Sequence, residues 1–553
     1  MSEYIVTVKK DSNWEDLKAD LTTDTSSDDS VNSSIIPDRE VSVTDERPGN
    51  RRNTEYDLSD DEADTLRNDP RIASVTKKST IKPPRPNIIQ EGQDSGSFNK
   101  TTSSSGNQDN WGLLRHISTT NNWGGTGTSD PGGAYNYVLD GTGVDVVIMD
   151  TGIEANHPEW QDADGNTRLQ QIDWSSTYTG TSYTQHSNIY TDTHGHGTHV
   201  ASTVAGKTFG WAKNARIYVL ANVSPGVWKT GGTPNEFDVV KDWHNAKSGA
   251  DAGRPTVVNM SFGYAWFLKT TPNPNMTSSD GSDDAGAVTG GRYRGTTNTN
   301  VSSLLGNSTG LTGEHQGSGI YGYPRKYASI DADIEEMTNA GIHVVIGAGN
   351  DSMKMDKSGG ADFNNYLTFS NPSFSHIYYH RGGSPSNYEC DNSVTNGLND
   401  SPTIDENDAI IVGSIKNQAY SSTLEQKVNF SQSGPQVDLY AAGSQISGAC
   451  SNTSDSAMGA QTYSLNSSYK QAKISGTSMA SPQVAGMVAC FLQAHPDWTP
   501  KQVKNWFIEN ATDKLHSTSS NNDYTTNNSI HGGNQRVAYF PTNGSKPFTY
   551  SSS

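Results

Sequence analysis

The chain is poor in cysteine, with 3 among 553 residues: Cys390, Cys450 and Cys490. That count excludes a disulfide framework, while Cys390 and Cys450, both in loop-like sequence, leave one pairing open. Charge is sparse too, at 18% of residues, which excludes a solenoid of Lys/Glu-rich helices. The charge present leans acidic, 60 Asp and Glu against 40 Lys and Arg, for a formal net −20. No nucleic-acid partner is expected of such a chain, because phosphate contacts need clustered Lys and Arg. No run of 18 apolar residues occurs, so no membrane span is expected. The opening MSEYIVTVKKDSNW lacks the charged n-region and apolar core of a secretory signal. The expected location is therefore intracellular, or reached by a non-classical route such as packaging in a virion. Hydrophobic residues make up only 32%, and 54 glycines accompany abundant Ser, Thr and Asn. Much of the length is then loop or linker around one large domain and an appendage.

Residues 1–78 read as a small α+β unit. Strand-like stretches at 5–8, 40–43 and 71–75 alternate with helix-like ones at 14–21, capped by Asn13, and 59–68, capped by Ser59 or Asp60. Residues 79–110 hold Pro83, Pro84 and Pro86, then a Gly/Ser/Asn-rich run. That composition predicts a disordered linker where a processing cut would fall. From Trp111 to the end, 111–553, the pattern is that of one large domain. Apolar runs at 144–149, 217–220, 257–260, 344–346 and 410–412 suit strands buried on both faces of a parallel sheet. Helical spacing lies between them, as in Val239, Val240, Trp243 and Ala246, or Ile330, Ile334 and Met337 closed by Gly341; Thr499-Pro500 opens another helix. The alternation predicts an α/β fold, a mainly parallel sheet with helices on both faces. Two Gly/Ser/Asn-rich stretches, about 264–325 and 351–405, interrupt it.

Three segments carry chemistry. Asp150 ends V-D-V-V-I-M-D-T-G-I, where a carboxylate is costly unless a charged or protic group meets it; alone, it reads equally as a strand-end cap. Thr193-His194-Gly195-His196-Gly197-Thr198-His199 spaces three histidines at i, i+2 and i+5. A zinc site, a catalytic base and a solvated loop histidine are all readings of it, and the absence of metal-ligating Cys or Glu disfavours zinc. Ile474-Ser475-Gly476-Thr477-Ser478-Met479-Ala480-Ser481-Pro482 leads into an apolar helical pattern. Ser478 at that helix start is either a reachable nucleophile or a plain cap.

Together, in the order Asp, His, Ser, the blocks D-T-G-I, H-G-T-H-V-A and S-G-T-S-M-A-S-P resemble the three signatures of subtilisin-like serine peptidases. The resemblance runs from about Trp111 to Leu515. It is closer to the proteinase K branch, because V-A-G-K-T-F-G-W-A-K follows the histidine block without a loop insertion. It implies a subtilisin-like fold and an endopeptidase that cuts protein or peptide substrates through an acyl-enzyme, with Ser478 as nucleophile, His196 as base and Asp150 orienting the imidazole. Asn350, ending Ile346-Gly347-Ala348-Gly349-Asn350, is implied as the oxyanion donor. Ser261, Phe262 and Gly263 after V-V-N-M, with Gly347, Ala348 and Gly349, are implied to bind substrate. Residues 1–78 resemble an inhibitor-type prodomain, which makes the chain a self-inhibited precursor.

No cofactor is needed for that chemistry and no metal ligand is assigned. Structural calcium is not carried over from the family: Lys416 stands near a usual ligand position, and the loop after Ala205 is missing. The acidic cluster Asp280, Asp283 and Asp284 reads as a solvated loop more readily than as a calcium site. Ser202 replaces a glycine usual after the histidine block, which bears on helix packing. Both insertions are expected to emerge near the cleft. The alternative function is a structural or binding protein of a larger assembly, such as a virus particle, on a subtilase scaffold.

Overall fold

In the computed structural model, three hydrophobic cores organise the described residues. Those residues are 2–78, 98–100, 109–221, 235–517 and 529–541, apart from breaks of up to five residues and longer ones at 23–34, 306–319 and 383–407.

The N-terminal unit comprises β1 (Ser2–Val8), α1 (Trp14–Thr22), β2 (Val43–Asp45), β3 (Asn53–Leu58), α2 (Asp60–Leu66) and β4 (Ile72–Lys77). Its sheet is antiparallel, ordered β2-β3-β1-β4. Alternation along β1 divides its side chains between two faces. Tyr4, Val6 and Val8 join Leu17, Leu21, Ala63 and Leu66 in the unit's own core, whereas Ile5 belongs to the core of the main body. Ser59 closes a capping box with Glu62. The sequence places one strand at 40–43; here it lies at Val43–Asp45, and β3 is additional. β3 escapes the sequence reading because its Asn53 and Glu55, though polar, are buried in ion pairs and amide bonds.

The body begins with α3 (Trp111–His116), β5 (Asp145–Asp150), α4 (His196–Ala205), β6 (Arg216–Ala221), α5 (Asn235–Asn245) and β7 (Thr256–Met260). The first insertion follows as β8 (Ala265–Lys269), β9 (Asn275–Ser278), β10 (Asp284–Tyr293), β11 (Thr296–Asn298), α6 (Val301–Leu304) and β12 (Ile320–Pro324). Then come α7 (Ala328–Asn339) and β13 (His343–Gly347), with β14 (Tyr366–Phe369) and β15 (Ile377–Tyr378) from the second insertion. The chain continues through β16 (Ile410–Ile415), β17 (Leu439–Ala442), β18 (Ile446–Cys450), β19 (Gln461–Thr462), β20 (Lys470–Ile474), α8 (Thr477–Ala494), α9 (Pro500–Asn510), β21 (Thr512–Asp513) and β22 (Arg536–Val537).

The central sheet is ordered β21-β22-β17-β16-β13-β7-β5-β6, parallel throughout except for the β21–β22 edge. This is the α/β architecture the apolar runs predict. α8 is buried from Thr477 to Leu492 and lies against α4. Gly486 permits that approach, since a Cβ there would stand 2.8 Å from the Val204 carbonyl oxygen. The two insertions fold together: β10 pairs with β14, and the sheet β12-β8-β9-β10-β14-β15, with β11 on β10, covers a core that includes Trp266, Leu268, Leu367 and Phe369.

Within the stretch read as linker, Phe98 to Lys100 are held in the body, while 79–97 and 101–108 lie outside the described residues. Trp123 Nε1 donates to the Phe98 carbonyl and Asn417 Nδ2 to that of Lys100. The Lys100 ammonium stands 4.3 and 4.1 Å from the ring centroids of Trp111 and Trp123, and burial pushes it down to about 8.

His116 is locked neutral. Its Nδ1 donates to the Ala538 carbonyl (2.7 Å) and its Nε2 accepts from Ala442 N–H (2.9 Å), so a second proton would face a donor. Burial, with Arg115 adding to it, pushes the ring down to about 3. The unfolded ring titrates near 6.5, so stability is complete above that pH and falls below it, by about 1.4 kcal/mol per pH unit for this residue. Urea unfolding of wild type at pH 7 and pH 5 is expected to show this loss, about 2 kcal/mol from His116; His116→Gln should remove that share of the slope.

Candidate active site

β5, β7 and β13 are neighbours, and their carboxyl ends carry Asp150, Ser261 to Gly263, and Gly347 to Asn350. In a parallel sheet this edge is where loops converge and sites form. Asp150 is fully buried and its Oδ1 meets His196 Nδ1 at 2.7 Å, with the Thr151 N–H donating to the same oxygen. His196 opens α4 directly after Gly195, which adopts φ 94. Gly197 must be glycine, because a Cβ would fall 2.2 Å from the Gly152 carbonyl oxygen. The bond to Asp150 fixes the proton on Nδ1 and leaves Nε2 as the basic nitrogen. Nε2 has no hydrogen-bond partner among the described residues.

Ser478 lies in the first turn of α8. Four residues on stands Pro482, which has no N–H to give the Ser478 carbonyl. Ser261 supplies the donor instead: its hydroxyl gives to Ser478 O at 3.0 Å, while the Ser478 hydroxyl gives to Ser261 O at 3.1 Å. The serine is thus held against the end of β7, with its hydroxyl on the Ser261 carbonyl rather than on His196. Asn350 Oδ1 accepts from the N–H (2.8 Å) and hydroxyl (3.0 Å) of Thr477, so Nδ2 is the donor end of that amide. Thr477, which sequence reasoning passes over, also accepts from Gly349 N–H through Oγ1 (3.1 Å).

The substrate-binding candidates divide. Phe262 is a buried member of the main core. Ala348 N–H donates to Val412 O, Gly349 N–H is taken by Thr477, and Gly349 O accepts from Gln432 N–H, so these backbone groups are spent inside the protein. Gly347 ends β13 against the Thr477 backbone, and Gly263 leads into β8. Asp351, next to Asn350, faces Gly322 of β12 and is pushed up to about 6 by desolvation. The insertion therefore reaches the edge of the site.

The three histidines do not converge. His199 Nε2 donates to Ile446 O (3.0 Å), and burial pushes the ring down to about 3; His194 stands edge-on to His196, with ring centroids 6.1 Å apart. Among the described residues no group of three or more His, Cys, Asp or Glu is arranged to hold a metal, and Asp280 and Asp283 lie outside those residues. The short turn after α4 is closed by the protein itself: Glu159 Oε2 accepts from Thr208 N–H (2.9 Å) and Oε1 from the Tyr463 hydroxyl (2.6 Å). Cys450 and Cys490 are buried thiols, and Cys390 is outside the described residues.

The subtilase family model matches residues 141–528, more than half of the chain. The chain belongs to the subtilase family. Among its relatives is the subtilisin-like serine protease Cur l 4.0101 of Cochliobolus lunatus, 25% identical over 380 residues, 67% of this chain and 49% of the relative. The cuticle-degrading serine protease of Arthrobotrys oligospora is 25% identical over 406 residues, 73% of this chain and 63% of the relative. Among solved structures, fervidolysin from Fervidobacterium pennivorans has a TM-score of 0.47 at 17% identity, covering 96% of this chain and 60% of that one. The subtilase chain spans about half the length of the first curated relatives it matches.

In this subtilase, the serine at 202 is accommodated. Ser202 Oγ donates to His199 O (2.8 Å) and accepts from Ala449 N–H (2.9 Å), so the hydroxyl joins α4 to β18. The partner position is Gly448, where a Cβ would stand 2.7 Å from Ser202 Oγ and 2.8 Å from His199 Nε2. Gly448→Ala is expected to cost about 1–3 kcal/mol in urea unfolding, and Gly448→Ala with Ser202→Gly to recover part of it. Equal stability of Gly448→Ala and wild type would contradict this packing.

Proposed function

We propose that the chain is a serine endopeptidase acting on protein or peptide substrates through an acyl-enzyme, and that it is made as a self-inhibited precursor. The observation that carries the reading is the buried His196–Asp150 pair, whose open Nε2 shares the carboxyl edge of the sheet with Ser478 and Asn350. In this reading Ser478 Oγ turns from the Ser261 carbonyl to Nε2 when a substrate N–H takes that carbonyl. His196 accepts its proton as Oγ attacks the scissile carbonyl, and then gives it to the leaving amine. Asp150 holds the tautomer and stabilises the imidazolium. Asn350 Nδ2 and the Ser478 backbone N–H donate to the oxyanion, a contribution of about 10²–10³ in turnover per donor. Every step falls to a protein group, so the chemistry asks for no cofactor.

Self-inhibition is supported by how the N-terminal unit docks. Asn50 and Asn53 amides donate to Asp333 Oδ1 on α7 at 2.8 and 2.9 Å, and Arg52 and Lys10 pair with Glu335 at 2.8 and 3.0 Å. α7 precedes β13, and Asn350 stands three residues past the end of that strand. A fluorophosphonate probe and intact mass test the reading. Wild type is expected to lose roughly the first 80–110 residues and gain one adduct, and Ser478→Ala to do neither. A wild type that does not process itself, and that still takes up no probe after a second protease clips the linker, would instead support a binding scaffold.

Thr477→Val removes the hydroxyl bonds to Asn350 Oδ1 and Gly349 N–H and leaves the backbone bond from Thr477 N–H to Asn350 Oδ1. Turnover of a peptide substrate is expected to fall about tenfold, with KM nearly unchanged, because a misaimed oxyanion donor acts on the transition state. A loss confined to KM would argue against Asn350 in that role.

A further inference from the structure

One buried carboxylate beside the site has no part in the mechanism above. Asp192 is fully buried and adopts φ 44, a backbone conformation that non-glycine residues seldom take. Its side chain is saturated with donors from two different segments. Oδ1 accepts from the Thr151 hydroxyl (2.8 Å) and the Gly195 N–H (2.9 Å). Oδ2 accepts from the Thr198 N–H (2.9 Å) and the Thr198 hydroxyl (2.5 Å). The two threonines then reach onward: Thr151 Oγ1 accepts from Gly197 N–H (2.8 Å) and Thr198 Oγ1 from Glu154 N–H (2.9 Å).

Thr151 follows Asp150, and Gly195 and Gly197 flank His196. The carboxylate therefore bridges the strand end that carries the acid and the helix start that carries the imidazole. A single His196–Asp150 bond of 2.7 Å does not by itself set the direction of the ring, since the helix can pivot about it. Four charge-assisted contacts on both sides of that bond remove the pivot. The left-handed backbone at Asp192 turns both oxygens toward α4, where the first N–H groups of a helix lack intrahelical partners and favour an anion.

We propose that Asp192 is a positioning residue: through Thr151 and Thr198 its carboxylate clamps the end of β5 to the start of α4 and so sets the aim of His196 Nε2. The proposal rests on the serine-peptidase reading. It assigns the two threonine hydroxyls a task that their methyl groups do not share, and serine should perform it.

Four variants of the full-length protein test this, Thr198→Val, Thr198→Ser, Thr151→Val and Thr151→Ser, each read by the rate of fluorophosphonate labelling at Ser478 and by kcat and KM on one peptide. Misplacement of a catalytic group by about 1 Å costs on the order of 10²-fold. Each valine variant is expected to lose about 10- to 100-fold in labelling rate and kcat with KM within about twofold, and each serine variant to stay within about threefold of wild type. Folded valine variants that label at the wild-type rate would overturn the clamp, as would serine variants as slow as their valine counterparts. If neither valine variant folds, the network is structural alone and the proposal falls. Absence of labelling in the wild type that persists after a second protease clips the linker would overturn the serine-peptidase reading itself, a result separate from the variant comparison.

Discussion

The first turn of α8 cannot satisfy its own backbone. Pro482 denies the Ser478 carbonyl its donor, and a buried carbonyl left unpaired costs about 1–3 kcal/mol, so the helix must take that donor from Ser261. This bond registers α8, buried from Thr477 to Leu492, against the carboxyl end of β7. The neighbours follow: Thr477, one residue earlier, reaches Asn350 beyond β13, and α4 settles against α8 where Gly486 leaves room. Groups more than a hundred residues apart in sequence are brought to one edge because a helix start and a strand end complete each other.

Parts of this were legible in the sequence. Strands buried on both faces write continuous apolar runs, and 257–260 and 410–412 sit within Thr256–Met260 and Ile410–Ile415. The blocks around Asp150, His196 and Ser478 are legible because close backbone approach admits only small residues, as at Gly197 beside Gly152. The roles of Thr477 and Asp192 are not, since a hydrogen bond between distant segments leaves no periodic trace. The insertions look like loops because Gly, Ser, Thr and Asn interrupt their apolar positions; β10 alternates buried Val288 with exposed Thr289.

The contact between the N-terminal unit and α7 has a composition of its own. Amides, ammonium and guanidinium groups meet Asp333 and Glu335, and Ile5 is the unit's residue in the main core. Polar surfaces of this kind remain soluble when separated, unlike the faces of an obligate core. Exchangeable hydrogen bonds and ion pairs, more than a shared hydrophobic seam, attach the unit to α7.

Finally, the two insertions leave the main body after neighbouring strands, β7 and β13, and then join in one sheet through β10 and β14. Neither is an independent decoration. Cutting away 264–325 would strip β14 of its partner β10, and cutting away the second would remove Leu367 and Phe369 from the core they share with Leu268, Met276 and Val288. The pair is one structural unit written in two separate segments, so a designer grafting this feature onto another scaffold must transplant both or neither.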